Sequence, residues 1–328
     1  MDLLDLSIHI VSFNTQKLLV ECLQSVYKNT RRHSFEVIVV DNGSTDGSVS
    51  VLKERFPATM VIANGKNAGF AAANNQGLKL SRGRYAAFLN PDTLVFPLTF
   101  DAMIDFMDNH PEVGAAGCRL FFPDGRPQTC AGDFPTLSCM LCDLLYINRI
   151  VDRIIPGRMV TPHQYYPDWM YRELREVPVI GGACLMVRRQ ALNTVGFFDG
   201  DYFMYHEDID LCYRLRKAGW KVFFIPEGGV IHYLGQSSKA NRREMKMAEY
   251  KSRFLFYRKH YGYLALRAFG AICMTSCLLN VVRFLLKLAT ENGMAEKDEV
   301  KSYMDVMLLS LRVLGRSVES WDLKRESA

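Results

Sequence analysis

Short apolar runs alternate with helical patterns over the first ninety residues. The apolar runs span residues 6–13, 36–40, 60–63 and 85–89, and the helical patterns span residues 17–28, 49–55 and 69–80. Strands that alternate with helices need crossover connections, which produce a parallel sheet covered on both faces. The sequence therefore predicts an α/β fold with a mostly parallel, Rossmann-like sheet and helices on both faces.

Polar residues follow three of these predicted strands. Phe13 and Asn14 follow the first strand, Asp41 follows the second, and Asn90 and Asp92 follow the fourth. In open parallel sheets, ligands bind beyond the carboxyl ends of the strands. We expect these five residues to share one edge of the sheet.

The turn after the first strand reads S-F-N-T-Q-K. It contains neither the G-x-G-x-x-G pattern of dinucleotide-binding domains nor a P-loop. The sequence therefore does not support nicotinamide or P-loop chemistry.

Composition and charge are those of an ordinary globular protein. The 328 residues are 49% hydrophobic and 23% charged, which suits one large or two modest domains. Nine cysteines form no paired metal-binding pattern, so we expect reduced, mostly buried thiols. The start of the chain lacks a basic region followed by a cleavable apolar segment, which predicts a cytoplasmic location.

Two adjacent carboxylates, Glu207 and Asp208, begin an amphipathic helical pattern that ends near Gly219. They could supply a general base that the helix holds in a cleft, or they could simply complement the helix dipole. Asp210 lies about 200° around the helix from Asp208, so it should face elsewhere. We expect Asp210 to pair with Arg214 one turn further on.

Residues 124–178 look irregular and are rich in Pro, Tyr and Met. An aromatic cluster that includes Trp169 could be a lid or an acceptor-facing insertion, or a satellite core. The following V-P-V-I-G-G-A-C-L-M-V reads as one buried strand. In it, Gly181 and Gly182 would allow a backbone or a ligand to approach closely.

Seven motifs then occur in a fixed order along the chain. They are I-V-S-F-N, V-I-V-V-D-N-G-S-T-D-G-S, N-A-G-F-A-A-A-N-N-Q-G-L, F-L-N-P-D-T, G-G-A-C-L-M-V-R-R, H-E-D-I-D-L-C-Y-R and V-I-H-Y-L-G-Q-S-S. Over residues 6–260 the chain thereby resembles the family 2 glycosyltransferases with the GT-A fold, especially bacterial rhamnosyltransferases of polysaccharide assembly. The resemblance implies a transferase domain over residues 1–260, followed by a helical region over 261–328. Within that domain, residues 1–95 would bind the nucleotide sugar and 96–260 would carry the acceptor and catalytic half.

The resemblance also implies a donor site. Asp41 would recognise uracil or thymine, with Phe13 and Asn14 nearby. The alternative is that D-N-G-S-T-D-G is only a turn. The further donor-side residues would be Asn67, Gly69, Asn74, Asn90 and Asp92. For Asn74, the alternative is an exposed helix residue.

The resemblance implies a divalent cation, Mg²⁺ or Mn²⁺, bound by Asp92 and completed by His232. Such a cation prefers carboxylate and phosphate oxygens and neutralises the departing diphosphate. The family motif is often D-x-D, whereas here N-P-D replaces one acid by an amide and lowers the charge. His232 could instead be a structural histidine.

Asp208 resembles the catalytic base of the family, and Glu207 would orient the acceptor or share that role. One base without a protein nucleophile suits direct displacement with inversion. The prediction is a metal-dependent inverting hexosyltransferase that moves a sugar, rhamnose being one candidate, from a dTDP- or UDP-sugar to a glycan or polyprenyl-linked acceptor of a cell-surface polysaccharide. Gly181, Gly182 and Trp169 would lie on the acceptor side. The alternatives are a non-catalytic, membrane-associated nucleotide-sugar-binding protein and a sugar nucleotidyltransferase, although the Gly-rich basic loop of the latter is missing.

An apolar segment over residues 261–289 follows a basic stretch. Arg267 and Arg283 interrupt it and leave fifteen uncharged residues, fewer than the roughly 20 that a spanning helix needs. Because basic residues crowd residues 242–259, we expect peripheral contact with the anionic inner face of the cell membrane. A helix packed on the domain is the alternative, and no nucleic acid is expected as a partner.

Overall fold

The computed structural model describes residues 4–156, 161, 164–233, 242–288 and 297–315. The described chain forms two compact units. The first comprises the residues up to Phe134, Tyr165–Phe203 and the residues from Glu207 to 233. The second comprises Pro135–Gln164, Met204–His206 and the described residues from 242 onward.

The strands are β1 (Leu6–Ser12), β2 (Phe35–Asp41), β3 (Met60–Ala63), β4 (Tyr85–Leu89), β5 (Thr93–Val95), β6 (Val113–Phe121), β7 (Pro127–Gln128), β8 (Ala131–Gly132), β9 (Arg175–Glu176), β10 (Val179–Ile180), β11 (Cys184–Arg188) and β12 (Lys221–His232). The helices are α1 (Gln16–Asn29), α2 (Ser48–Arg55), α3 (Phe70–Leu78), α4 (Thr99–Asn109), α5 (Leu137–Leu144), α6 (Ile147–Ile154), α7 (Arg189–Val195), α8 (Glu207–Lys217), α9 (Arg242–His260), α10 (Gly262–Leu288) and α11 (Lys297–Gly315), with a 3-10 helix at Asp168–Arg172.

The main sheet confirms the predicted α/β class. Its strand order is β3-β2-β1-β4-β11-β6-β12-β5, with β7 beside β6 and β9 beside β12. β1, β2, β3 and β4 pair in parallel, as do β6 and β12, whereas β11 and β5 run antiparallel to their neighbours. Every residue of β1 is buried, as expected for a central strand with both faces covered.

The predicted strand V-P-V-I-G-G-A-C-L-M-V is wrong in one respect: the structure divides it at Gly181 and Gly182. β10 pairs with β8 in a separate two-stranded sheet, whereas β11 joins the main sheet. The N–H of Gly181 donates to the carbonyl of Cys130 at 2.8 Å, and that of Gly182 donates to Asp208. Because these two N–H groups find partners outside the main sheet, the ladder cannot continue through them.

The segment 124–178 is also less irregular than predicted, because it contains α5 and α6. Thr136 begins α5 with a side-chain cap that accepts the N–H of Cys139 at 3.2 Å. Both helices belong to the second unit, so this unit begins well before residue 260, where the sequence analysis placed its boundary.

The second unit has its own apolar core, which packs the helices of the C-terminal region against α5. Its central residues come from α5, α9, α10 and α11 and include Cys139, Phe254, Tyr257, Phe269 and Val306. One helical stretch in the described chain, Gly262–Phe284, is long and apolar enough to cross a membrane by length and composition, and 33% of its apolar window is buried. α10 therefore packs one side into this core while the other side stays exposed.

All nine cysteines lie among the described residues and form no disulfide there, and Cys142 alone of the nine is partly exposed. This agrees with the predicted reduced, mostly buried thiols.

Candidate active site

The carboxyl ends of three parallel strands meet at one edge of the sheet. Ser12 at the end of β1 lies opposite Asp41 at the end of β2, and Leu89 at the end of β4 lies opposite Ile10. The predicted residues that end or directly follow these strands share this edge: Phe13, Asn14, Asp41, Asn90 and Asp92.

Asp41 is a buried carboxylate with one oxygen held and one free. Its Oδ1 accepts the backbone N–H groups of Gly43 and Ser44 at 3.2 and 2.9 Å. Its Oδ2 is buried and has no hydrogen-bond partner among the described residues. Since a buried acceptor without a partner is costly, this oxygen is well suited to a donor group on a ligand.

Asn14 fixes the loop that follows β2. It adopts a left-handed conformation with φ 52°. Its Oδ1 accepts the N–H of Thr45 at 2.8 Å, and its own N–H donates to Ser44 Oγ at 2.9 Å. Phe13 beside it is 41% exposed, so its ring is accessible at the same edge.

Asn67 and Gly69 belong to a network centred on Asn42. Asn42 Nδ2 donates to Asn67 Oδ1 at 3.1 Å and to the carbonyl of Gly69 at 3.2 Å. Gly69 has φ +84°, and a Cβ there would lie 2.5 Å from the carbonyl oxygen of Phe203. Only glycine fits this turn, which brings residue 203 against the start of α3.

Asn74 is 1% exposed, so the alternative of an exposed helix residue is wrong. Its Nδ2 donates to the carbonyl of Phe70 in its own helix at 3.1 Å. The neighbouring Asn75 clamps Phe198, donating to its carbonyl at 2.7 Å and accepting its N–H at 3.0 Å. α3 is therefore tied to the segment that precedes α8.

Asp92 and His232 are brought together by the pairing of β5 with β12. His232 lies opposite Thr93, and its Nε2 is 3.4 Å from Asp92 Oδ1. Both side chains are buried. Asn90, which replaces an acid of the usual motif, places its Nδ2 3.3 Å from the same Nε2.

The donor set fits a divalent cation. His232 Nδ1 lies 2.7 Å from Oε1 of Gln128 on β7. When Nδ1 donates to that oxygen, the lone pair of Nε2 faces the carboxylate of Asp92, the orientation in which a histidine serves as a metal ligand. No group of three or more His, Cys, Asp or Glu side chains forms a metal cluster in the described part of the chain. Asp92 and His232 could therefore hold a cation whose remaining positions are filled by phosphate oxygens and water.

Asp208 occupies the first turn of α8 and is held by two backbone donors. Its Oδ2 accepts the N–H of Gly182 at 2.6 Å, and its Oδ1 accepts the N–H of Ile209 at 2.8 Å. Burial raises the pKa of Asp208 above its ordinary value, although these two hydrogen bonds oppose the change. A carboxylate with a raised pKa and a fixed position is suited to accept a proton.

Glu207 is 6% exposed, and its Oε2 has no partner among the described residues. Burial, followed by the negative charge of Asp208, raises the pKa of Glu207 well above its ordinary value. Tyr205 and His206, the two residues before the helix, both have positive φ. The carboxyl of Glu207 is therefore buried at the start of α8.

A short chain of contacts joins the two acidic centres. The N–H of Asn90 donates to the carbonyl of Ala183 at 3.1 Å, and Gly182 next to it binds Asp208. Asp92 and Asp208, which are far apart in sequence, are therefore linked through residues 182 and 183 at the same edge of the sheet.

The acceptor-side residues are placed less completely. Gly181 and Gly182 connect β10 to β11 beside Asp208. Trp169 lies in the 3-10 helix Asp168–Arg172, but its side chain is outside the described residues, as is the L-G-Q-S-S end of the last motif.

Two side chains of the site were missed by the sequence analysis. Asn42 could have been found, since it adjoins Asp41 in the same motif. Gln128 carried no signal, because its role depends on the pairing of β7 with β6. The predicted pair Asp210–Arg214 is confirmed, with Arg214 Nε 2.7 Å from Asp210 Oδ2.

Residues 7–196 match the family model described as Glycosyl transferase family 2. The chain is 31% identical over 232 residues to the N-acetylglucosaminyl-diphospho-decaprenol L-rhamnosyltransferase of Mycobacterium tuberculosis, covering 67% of this chain and 73% of the relative. It is 28% identical over 248 residues to the O-antigen biosynthesis protein RfbC of Myxococcus xanthus, covering 75% of this chain but 18% of that protein.

Solved structures show the same fold at low identity. The Pyrobaculum calidifontis mannosyltransferase PcManGT, in complex with GDP-Man and Mn²⁺, has a TM-score of 0.55 at 15% identity and covers 96% of this chain and 88% of its own. GalNAc-T7 with UDP, GalNAc and Mn²⁺ has a TM-score of 0.55 at 15% identity, and the match covers 95% of this chain and 56% of GalNAc-T7.

The sheet topology and the likeness to these solved structures show the GT-A fold. The chain belongs to glycosyltransferase family 2.

Proposed function

We propose that this glycosyltransferase moves a sugar, with inversion, from a nucleotide diphosphate donor to the hydroxyl of a lipid-linked saccharide. The observation that carries the proposal is the placement of Asp41, Asp92, His232 and Asp208 at one edge of the sheet. Each of these side chains suits one task of the reaction.

The nucleotide would be held at the ends of β1 and β2. The unpartnered Oδ2 of Asp41 can accept the imide N–H of uracil or thymine, and the exposed ring of Phe13 lies nearby. This favours a UDP- or dTDP-sugar as the donor.

A Mg²⁺ or Mn²⁺ ion held by Asp92 and His232 would act as a Lewis acid toward the leaving diphosphate. Gln128 fixes the histidine ring so that Nε2 faces Asp92. Among the described residues this site offers two protein ligands, so the donor diphosphate would complete it.

Asp208 would accept the proton of the acceptor hydroxyl while the oxygen of that hydroxyl attacks the anomeric carbon. The bond from that carbon to the diphosphate oxygen breaks on the opposite face, which inverts the configuration. Gly182 and Ile209 hold the carboxylate in one orientation, as a general base requires. No covalent sugar–enzyme intermediate is needed.

The acceptor is proposed from the rhamnosyltransferase relative, whose name specifies an N-acetylglucosaminyl-diphospho-decaprenol acceptor. By the same argument, L-rhamnose is the first donor sugar to test, and assembly of a cell-surface polysaccharide is the expected pathway. Such an acceptor would place the enzyme at the inner face of the cell membrane.

A surface of the second unit suits this location. Ile150 and Ile154 of α6 are 59% and 72% exposed, and Leu279 and Val282 of α10 are 49% and 54% exposed. Tyr146 beside α6 donates to Asn280 of α10 at 2.5 Å. These four aliphatic side chains form what we call the apolar patch.

Three cations accompany the apolar patch. The guanidinium groups of Arg149 and Arg283 lie over the ring of Tyr146, at 4.8 and 5.7 Å from its centre, and Arg153 is exposed on α6. Aliphatic side chains bordered by arginines suit the headgroup region of an anionic bilayer.

The reaction is tested by incubating the enzyme with UDP- and dTDP-sugars, including dTDP-L-rhamnose, Mn²⁺ and a short-chain lipid diphosphate N-acetylglucosamine acceptor. The product's anomeric configuration is read by NMR. Asp208→Asn should lower kcat by about 10²–10⁴-fold with unchanged donor affinity. Glu207→Gln should keep most of the rate, since burial already holds that carboxyl toward its neutral form.

If the wild type binds the nucleotide sugar but transfers no sugar, and Asp208→Asn binds it equally well, the non-catalytic binding protein would be favoured. Formation of a nucleotide sugar from a nucleoside triphosphate and a sugar phosphate would favour the nucleotidyltransferase.

Membrane contact is tested by co-sedimentation with phosphatidylglycerol vesicles and with phosphatidylcholine vesicles. Ile150→Asp/Ile154→Asp should reduce binding to the anionic vesicles. The matched control Leu80→Asp/Leu174→Asp changes two exposed leucines of the first unit and should not. Equal losses in both variants would refute a role for the apolar patch.

A further inference from the structure

A cavity of about 240 Å³ lies beside the β6–β7 hairpin in the first unit. Its walls come from the hairpin and from the 3-10 helix, and include Phe121, Pro127, Tyr171 and two arginines, Arg119 and Arg172. Ligand pockets for whole small molecules usually measure roughly 300–1,000 Å³. The cavity is thus too small for a nucleotide sugar and of a size for a sugar headgroup.

The two arginines are the notable feature of this cavity. Arg119 Nε is buried and has no hydrogen-bond partner among the described residues. Within those residues, neither Arg119 nor Arg172 forms an ion pair. Arg126, at the tip of the same hairpin, instead binds Asp124 at 2.8 Å. A buried guanidinium nitrogen without an acceptor is available to one that a ligand supplies.

Arginine is the side chain best adapted to phosphate, because its planar donors bind two oxygens at once. One carboxylate, Asp168, also lines the cavity. It does not neutralise both cations, and it can accept a hydrogen bond from a sugar hydroxyl. The ring of Tyr171 adds an apolar wall, since its hydroxyl is already engaged by residues 130 and 131.

The cavity wall is connected to both catalytic centres. Phe121 pairs with Pro127, and the next residue, Gln128, holds His232. Tyr171 holds Cys130, whose carbonyl accepts the N–H of Gly181 beside the glycine that binds Asp208. The cavity wall is therefore linked by hydrogen bonds through residues 128–130 to His232 and to the loop that holds Asp208.

We infer that this cavity binds the phosphorylated end of the acceptor, a sugar phosphate, through Arg119 and Arg172. The inference rests on the proposed function and adds to it a site for the acceptor that is separate from the donor diphosphate site at Asp92.

Binding is tested by titration calorimetry of the full chain in EDTA, so that no divalent cation can recruit phosphate to Asp92. The probes are N-acetylglucosamine 1-phosphate and uncharged N-acetylglucosamine. The wild type should bind the phosphate at least about tenfold more tightly, as expected for charge-assisted arginine–phosphate contacts. Arg119→Met/Arg172→Met should abolish this difference.

Two variants control for charge and for folding. Arg126→Met removes one nearby positive charge that is already paired, and it should bind both probes as the wild type does. Arg119→Lys/Arg172→Lys keeps the charges and should recover part of the preference for the phosphate. Wild-type binding in the methionine double variant, or an equal loss in Arg126→Met, overturns the inference.

Kinetics with the lipid-linked acceptor identify the source of the sugar phosphate. The methionine double variant should raise KM for that acceptor at least about tenfold and leave KM for the donor unchanged. If the soluble sugar phosphate binds the wild type but KM for the lipid-linked acceptor does not change in the variant, the assignment to the acceptor is wrong. If the wild type transfers no sugar at all, the proposed function fails, whereas the calorimetric result still decides whether the cavity binds a sugar phosphate.

Discussion

The backbone N–H of Gly182 donates to Oδ2 of Asp208 at 2.6 Å, so the loop between β10 and β11 holds the proposed base. The loop connects two strands of different sheets, β10 in the small sheet and β11 in the main one. Its course is therefore fixed on both sides, and the carboxylate is held by a rigid donor. The same loop reaches the other acidic centre, because Ala183 accepts the N–H of Asn90.

We predict that Gly182→Ala lowers kcat and leaves donor affinity unchanged. A Cβ at Gly182 would lie 3.3 Å from Asp208 Oδ2, closer than an ordinary contact, so the carboxylate must shift by a few tenths of an ångström. Because misplacing a catalytic group by about 1 Å can cost about 10²-fold, we expect a loss of about three- to thirtyfold in kcat. Steady-state kinetics and calorimetric donor binding measure the two quantities.

Gly181→Ala is the matched control for this change. A Cβ at Gly181 would meet the carbonyl of Cys130 at 3.6 Å, which is an ordinary contact. If Gly181→Ala loses as much activity as Gly182→Ala, the loop as a whole is sensitive, and the specific contact with Asp208 is not the cause.

We predict that Gln128→Leu weakens the binding of Mn²⁺. Without the acceptor at Nδ1, the ring of His232 loses the partner that directs Nε2 toward Asp92. Loss of such an outer partner typically costs about 10–100-fold in metal affinity. Since Nε2 of Gln128 itself has no partner among the described residues, an apolar side chain should be tolerated there.

The half-saturating Mn²⁺ concentration for transfer, and Mn²⁺ binding followed by electron paramagnetic resonance, measure this effect. Gln190→Leu, at an exposed position, is the control. An unchanged Mn²⁺ affinity in Gln128→Leu would exclude His232 as a ligand that depends on this contact.

We predict that Asp41→Asn weakens the binding of UDP and dTDP by about 10–100-fold, as for the loss of a hydrogen bond to a charged group. The loop N–H groups of Gly43 and Ser44 require an oxygen at the Oδ1 position, so the amide nitrogen must take the place of Oδ2. The amide NH₂ of the new side chain would then face the imide N–H of the base, and neither group can accept a hydrogen bond from the other. Calorimetry with UDP and dTDP measures the loss.

Asp46→Asn is the matched control, because Asp46 is an exposed carboxylate on the same loop. Equal weakening in the two variants would point to loop disorder, and unaltered binding in Asp41→Asn would remove Asp41 from the nucleotide site.

The part of the site that depends on strand direction could be predicted from the sequence. Parallel strands end at one edge, so Asp41 and Asp92 had to lie at the same edge once the strand and helix pattern was recognised. The pairing of Asp210 with Arg214 followed from helix geometry alone. Both predictions rest on periodicity within a local segment.

The rest could not be predicted, because it depends on partners distant in sequence. The break between β10 and β11 exists because Gly181 and Gly182 donate to residues 130 and 208, and an apolar run does not reveal such partners. Gln128 lies in a two-residue strand whose pairing positions its side chain against His232. The helices α5 and α6 were missed because turn-forming and aromatic residues around them obscured two short helical patterns.

A last prediction concerns His9, a histidine in the middle of β1. Its ring is fully buried against Phe88, both ring nitrogens lack partners among the described residues, and burial lowers its pKa to about 3. The unfolded chain, with an ordinary histidine pKa of 6.5, binds this proton first as the pH falls. The free energy of unfolding is therefore unaffected by this histidine above pH 6.5. It falls by about 1.4 kcal/mol per pH unit as the pH is lowered from 6.5 to about 3.

His9→Leu should remove this dependence and cost little at neutral pH, since no hydrogen bond is lost. Urea unfolding of the wild type and the variant at pH 7.5 and at about pH 5 measures the difference, with His110→Gln as a control at a partly exposed position. The unfolding free energy of the wild type should fall relative to that of His9→Leu as the pH is lowered, and the control should follow the wild type. Parallel pH profiles for the wild type and His9→Leu would mean that His9 binds a proton equally well in the folded and unfolded chain, contrary to its burial.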